Sequence, residues 1–324
     1  MSKEPIDLIN NKGEKIGEIS LGQNEDIITK KIYTPKQKHF FNMENELKTS
    51  TYLEGGYVHM FYIKNEILFN DIGLKPNSVT RLIYLATYLN YTEKYKKYGM
   101  LVKYGENNKP KPMTRKDLKE IMKLSDTQFK GFLKELKDKS ILFEMDKKYY
   151  LNNTYFCKGR VKNNREYAKL YNNYTRIYIP PIRELYNKFK PTKHKQLGYI
   201  FQLIPYMDFE DCRLINDEGY KLELYDMCEI LGLSTDKDNM NKLKNEFKKM
   251  TFFVANKEYY LFARVQIGEH TAWHINPYAL WSGSELETKK YIANILGLNE
   301  DIESLKLEKL EKKRLRGKKT KSVK

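Results

Sequence analysis

The chain is poor in the residues that staple or thread a small secreted protein. Of 324 residues only 3 are cysteines, Cys157, Cys212 and Cys228, widely spaced and without a CxxC pair. Neither a disulfide framework nor a Cys-rich zinc site is indicated, and a reducing cytoplasm fits. Long apolar runs are missing too: the longest, such as Leu82 to Leu89, reach about half a membrane span and are interrupted by Thr87. The opening MSKEPIDLINNKGEK lacks the apolar stretch of a signal peptide, so the expectation is a chain neither exported nor membrane-spanning.

Signatures of catalysis are equally scarce. No Walker A motif occurs: the nearest stretch, LRGKKT, has Lys312 where the first glycine is required, which argues against NTP hydrolysis. His39, His59, His194, His270 and His274 form no HExxH and no His-hydrophobic-His pair. His270 and His274 can share a strand face, an arrangement more often structural than metal-binding. Tyr149-Tyr150 and Tyr259-Tyr260 have no neighbouring base or metal pattern to activate a nucleophile and read as hairpin residues. No enzyme activity, metal or cofactor is expected.

What is present is material for about two domains of the usual size of roughly 150 residues. The 40% hydrophobic and 13% aromatic content supports folded cores despite 31% charged residues. The 59 Lys and Arg against 42 Asp and Glu leave a formal charge of +17, which favours a polyanionic partner such as nucleic acid or an anionic surface. Lys, Asn, Ile and Tyr are all heavily used, and AT-rich coding would account for part of that excess.

The second half of the chain echoes the first. DLKEIMKLS (117–125) aligns with DMCEILGLS (226–234), and LKELKDKSILFEMDKKYYL (133–151) with LKNEFKKMTFFVANKEYYL (243–261). Upstream, LKPNSVTRLIYLATYL (74–89) parallels FKPTKHKQLGYIFQLI (189–204), and FYIKNEILFNDIG (61–73) lies opposite IYIPPIRELYNKF (177–189). Each copy closes with an Asn followed seven residues later by a Gly, Asn152 to Gly159 and Asn276 to Gly283. Shared order and apolar positions point to a repeat of whole domains.

In the first copy, Leu82, Ile83, Leu85, Ala86 and Leu89 fall at helical spacing over Val79 to Tyr91, with Pro76 and Ser78 as start signals. A basic loop follows, then Thr114 as cap of a short helix, Leu124-Ser125-Asp126 as a turn, and a helix with apolar face Phe129, Phe132, Leu133 and Leu136. Ile141 to Phe143 and Tyr149 to Leu151, around a tip at Met145 to Lys148, read as a hairpin. The second copy predicts a core helix around Leu197 to Ile204, a helix over 222–232, Ser234 as the next cap, and a helix through Met240, Leu243 and Phe247. Its wing reads as three strands, Phe252 to Val254, Glu258 to Val265 and Thr271 to Ile275, with Gly268-Glu269-His270 as a turn. The third helices align at an offset of 111 residues and the wings at 110. The expected fold is therefore α+β, two tandem winged-helix domains.

The corresponding organisation is a hairpin and irregular arm over 1–56, winged helices over 57–160 and 177–284, a basic linker over 161–176, and a C-terminal helix and basic tail over 285–324. In a helix-turn-helix the second helix enters the major groove and about four side chains reach base edges. Thr127, Gln128, Lys130, Gly131 and Lys134 are the candidates in the first copy, with Asp126 also exposed. Gln128 suits adenine, Lys130 suits guanine or phosphate, and Gly131 permits close approach. Lys237, Asn239, Asn241, Lys242 and Asn245 are the counterparts in the second. The same side chains would equally make an ordinary solvated face. Lys147, Lys148 and Lys257 at the wing tips would touch phosphates, or serve as plain surface lysines. Between the copies, Lys158, Arg160, Lys162, Arg165, Lys169 and Arg176 oppose one acid, Glu166, in a segment suited to lie across a nucleic-acid backbone or to act as a polar linker. Glu285 to Leu310 reads as an amphipathic helix, and KKRLRGKKTKSVK as a phosphate-binding arm or a solvated tail. IDLINNKGEKIGEIS alternates around Asn11-Lys12-Gly13 as a hairpin, and 21–56 lack clear periodicity.

Taken with NNKGEKIGE, MTRKDLKEIMKLSDTQFKGFLKELKDKSILF and the closings LNNTYFCKG and INPYALWSG, the chain resembles the winged-helix replication initiators of Gram-positive plasmids and phages. The closings look like the Asn-Pro-x-x-Phe-x-x-Gly ending of the RepL-type proteins, and the tandem plan is similar to the RepA/RepE class. The resemblance implies binding to origin repeats on double-stranded DNA and recruitment of host replication proteins, by a monomer or homodimer. MarR-like regulators share the helix-turn-helix pattern, so repression of transcription at an operator is the alternative, and DNA nicking a weaker one.

Overall fold

The computed structural model describes residues 6–9, 15–19, 56–61, 72–91, 98–105, 109–159, 174–267, 270–283 and 286–297. The chain divides by contacts into Met1–Glu44 and Asn45–Lys324. In the first unit β1 (Ile6–Ile9) and β2 (Lys15–Ile19) pair antiparallel, Ile6 opposite Ile19, as the alternating pattern predicts.

The second unit is a mixed α and β fold. It opens with β3 (Tyr57–Phe61) and α1 (Pro76–Ala86), whose first turn Pro76 starts and which buries Val79, Leu82, Ile83, Leu85 and Ala86. The basic loop that follows contains β4 (Tyr98–Met100) and a small hairpin of β5 (Val102–Tyr104) and β6 (Pro110–Pro112). Helix α2 (Arg115–Met122) is capped by Thr114, whose backbone N–H donates to Asp117 at 2.8 Å while its hydroxyl accepts from Asp117 N at 3.3 Å. Burial opposes charge on Asp117, but Lys103 and Thr114 outweigh it and hold the carboxyl down to about 2. A left-handed Lys123 ends α2, and Ser125 caps α3 (Asp126–Asp138), which buries the expected Phe129, Phe132, Leu133 and Leu136. Strands β7 (Leu142–Met145) and β8 (Lys148–Asn152) turn through Asp146 and Lys147, both at positive φ, and β8 lies between β4 and β7. Strand β9 (Phe156–Cys157) follows.

The second copy runs β10 (Tyr174–Tyr178), α4 (Ile179–Lys188), α5 (His194–Gln202), α6 (Leu224–Ile230), α7 (Lys237–Phe247), β11 (Thr251–Val254) and β12 (Lys257–Tyr260), sharing the strand, core helix, two helices and hairpin of the first but not strands β4 to β6. Ala255 and Asn256 take the positive-φ turn positions of Asp146 and Lys147. Then come β13 (Phe262–Ile267), β14 (His270–Ile275), β15 (Leu280–Trp281) and α8 (Leu286–Ile295).

Four expectations are corrected here. The cap of α7 is Asp236, accepting from Asn239 N at 2.8 Å, and Ser234 instead donates its hydroxyl to Asp236 at 2.5 Å. The 111-residue offset already implied this, because it sets Asp236 opposite Ser125. The segment 258–265 is two strands, not one, since it changes partner at buried Leu261: up to there it pairs with β11, Leu261 donating to Met250 O at 2.7 Å, and from Phe262 it pairs with the strand that ends at Ile275. The proposed linker ends early: Arg176 sits inside β10 and is buried. Finally, α8 stops at Ile295 because the chain then pairs with the second wing, Tyr260 N donating to Leu296 O at 2.9 Å. The predicted turn residues Gly268 and Glu269, segment 21–55 and tail 298–324 lie outside the described residues.

The two copies are joined by a four-stranded antiparallel sheet in the order β15-β10-β3-β9. Its centre pairs the opening strands of the copies, and its flanks are their closing strands. Asn152 and Asn276 make the same Asx turn into those flanks, their side-chain carbonyls accepting from Thr154 N at 3.0 Å and Tyr278 N at 2.9 Å. Helices α1 and α5 cross closely, with the Thr80 hydroxyl donating to His194 O at 2.7 Å. Gly198 lies against Pro76, where a Cβ would stand 1.9 Å from the carbonyl oxygen. Contacts of 76 with 198 and 80 with 194 run in opposite directions, so the helices are antiparallel. The opening strands and the core helices of the two halves each pair antiparallel, the local arrangement that a pseudo-two-fold axis between them produces. One hydrophobic core continues through both.

Candidate nucleic-acid interface

Helix α3 presents Thr127, Gln128, Lys130, Gly131 and Lys134 to solvent, together with Asp126, because its four buried apolar residues take the opposite face. Lys130 and Lys134 form no ion pair among the described residues, whereas Asp126 is held by Lys119 and its carboxyl lowered by it. A Cβ at Gly131 would meet nothing within 4 Å.

In α7, Lys237, Asn241, Lys242 and Asn245 are exposed and Asn239 is half-buried. At the 111-residue offset Gln128 matches Asn239, Lys130 matches Asn241, Gly131 matches Lys242, and Lys134 matches Asn245. The first of these pairs shares an unexpected task. Gln128 Oε1 accepts from Ser125 N at 3.4 Å, and Asn239 Nδ2 donates to Asp236 Oδ2 at 2.5 Å. Bidentate reading of adenine needs both amide groups, so neither residue offers it while capping its helix. The free amide and lysine chemistry therefore sits one turn further on.

Lys147 and Lys148 are exposed at the first wing tip. Lys257 is half-exposed, lying over the Tyr259 ring at 5.4 Å. The β11–β12 hairpin is bracketed: Glu184 and Lys188 of α4 bond β11 at Phe253 N, 3.0 Å, and Thr251 O, 3.1 Å, while Gly297 bridges Tyr259 on the other edge. Arg160, Lys162, Arg165 and Lys169 lie outside the described residues. Arg176 is no phosphate contact: its guanidinium is boxed by the rings of Tyr57, Tyr174 and Trp281 and donates to Gly283 O at 2.8 Å. Lys158 is half-buried over Tyr91, at 5.1 Å, and burial lowers its pKa.

Beside α3 lies a feature the sequence reading passed over. A cleft of about 480 Å³ separates the start of α1 from α3, floored by Phe132 and edged by Gln128, Gly131 and Lys134. Arg81 reaches it from inside α1. A charged residue within the apolar run TRLIYL was the available signal.

Among the described residues no helix is long and apolar enough to cross a membrane. The three cysteines are free and buried, and burial pushes the Cys157 thiol up to about 12. No protein-family model, curated protein or solved structure matches this chain.

Proposed function

We propose that the chain is a sequence-specific double-stranded DNA-binding protein that grips the duplex through two tandem winged-helix modules, 57–160 and 177–284. The observation that carries this reading is the equivalence of α3 and α7. Each follows a three-to-six-residue turn, precedes a hairpin and exposes amide or lysine side chains at matched positions. The net charge of +17 supplies the electrostatic, sequence-independent part of affinity. Marking a plasmid or phage origin and recruiting host replication proteins is the role we assign, and no catalytic step is assigned.

A second reading, a transcriptional repressor, draws support from the pseudo-two-fold relation of the modules. Protein two-fold symmetry is mirrored by inverted half-sites, the usual form of an operator. The test is a footprint on the DNA flanking the gene. Protection of reiterated sites within an origin supports initiation, protection of one site over a promoter supports repression, and uniform affinity for all duplexes rejects sequence-specific binding.

A further inference from the structure

We propose that the cleft between α1 and α3 is a phosphate-binding site organised by Arg81. Arg81 is 5% exposed, yet makes no hydrogen bond or ion pair among the described residues, and its Nε is buried without a partner. Glu135 acts on the Arg81 charge through space without bonding it, and a buried guanidinium left without an acceptor is costly, so native proteins normally supply one. Here the missing partner has a place to come from, because Arg81 lines a cleft of about 480 Å³.

The surrounding charge has the right sign. Lys75, Lys134 and Lys139 share the cleft with Arg81, against Glu135 and Asp138. Glu135 accepts the Ser78 hydroxyl at 2.5 Å and offsets part of the Arg81 charge, Lys139 donates to Ile72 O, and the four cations of the cleft still outnumber its two acids. The positive end of the 11-residue α1 opens here, with no acidic residue in its first turn. A phosphate oxyanion fits this set better than a carboxylate, because a planar guanidinium binds two of its oxygens while leaving others for the lysines. The same chemistry reaches the cleft from two sources: a backbone phosphate of a bound duplex, which rests on the proposed function, or a free phosphate ion or monoester, which does not.

The experiment is thermal unfolding of the full chain in inorganic phosphate and in chloride at equal ionic strength, for the natural protein, Arg81→Met and Lys75→Met. Phosphate should raise the melting temperature of the natural chain by about 3 °C, the shift expected for millimolar affinity. Arg81→Met should abolish that rise. Lys75 is exposed, so Lys75→Met keeps the fold and should roughly halve the rise. Arg81→Lys serves if the Met variant does not fold, and should retain part of the effect. No rise in the natural chain, or an equal rise in Arg81→Met, overturns the proposal.

The second arm measures duplex affinity against salt. A slope reduced by about one in Arg81→Met assigns the site to a backbone phosphate. An unchanged slope in Arg81→Met, when phosphate stabilises the natural chain and not the variant, assigns it to a free phosphate. Absence of any duplex binding removes the DNA reading and leaves the phosphate result standing.

Discussion

His59 and Arg176 face each other across the centre of the β3–β10 pairing, each the third residue of its five-residue strand. The two strands contribute unlike side chains there. One copy supplies a buried cation boxed in aromatic rings; the other a neutral ring edge-on to Tyr57 and Tyr174, at 5.0 and 4.7 Å.

That neutrality predicts acid lability. Burial, reinforced by Arg176, pulls His59 down to about 3, and burial with Arg81 pulls His194 down to about 4. The unfolded chain takes up these protons near pH 6.5 and the folded chain does not, so stability present at neutral pH is lost as pH falls through that value. Each histidine should cost about 2 kcal/mol by pH 5. Urea midpoints at pH 7 and pH 5 for the natural chain and His59→Gln test this: the variant should lose less on acidification, and parallel losses would reject the role of His59.

Two helical glycines should respond with opposite signs to the same substitution. Gly198→Ala places a methyl 1.9 Å from the Pro76 carbonyl oxygen, so α1 and α5 must separate, costing about 1 to 3 kcal/mol or more. Gly131→Ala meets open space within α3 and should stabilise by roughly 0.5 to 1 kcal/mol through helix propensity alone. Chemical denaturation of both variants reads the signs directly. If Gly131 serves close approach to a base, the stabilised variant will bind its DNA site more weakly.

Much of this plan was legible in the repeat. The apolar face of α3, the Thr114 cap, the turn at Leu124 to Asp126 and the first hairpin all follow from local spacing, because in each the buried set and the turn residues lie within a few positions. The 14-residue excess of the Asn-to-Asn spacing over the wing offset equals the length of Phe262–Ile275, the inserted β13–β14 hairpin. What local pattern could not reveal was long-range pairing. Arg176 looked like linker charge because its three rings come from distant segments, and α8 looked longer because Leu296 pairs with a wing some 36 residues earlier. The capping use of Gln128 and Asn239 was implicit in their place three residues after a cap.

The Asx turns give a graded prediction. Asn276 is wholly buried, its side chain donating to Tyr260 O at 2.9 Å and accepting from Tyr278 N at 2.9 Å. Asn276→Ala strands both backbone groups and should cost about 2 to 4 kcal/mol. Asn152 is only half-buried, and its second bond, to Ser140 O, is 3.4 Å. Asn152→Ala should therefore cost about 1 kcal/mol. Equal losses, measured by denaturant midpoints, would mean the two turns carry equal weight in closing the sheet.

The pseudo-two-fold axis constrains the DNA site that the proposed function requires. Readers related by a two-fold approach the duplex from opposite directions, so their half-sites must be inverted and, for a continuous grip, about one helical turn apart. The half-sites should also be unlike, because α3 offers Lys130, Gly131 and Lys134 where α7 offers Asn241, Lys242 and Asn245. Selection from random duplexes should thus return an imperfect inverted repeat. Lys130→Ala should relax sequence preference in one half and Asn241→Ala in the other, each by about 1 to 3 kcal/mol per lost base contact. A selected site made of two half-sites in the same orientation would break the link between the axis of the fold and the axis of the DNA, leaving α3 and α7 unable to read together.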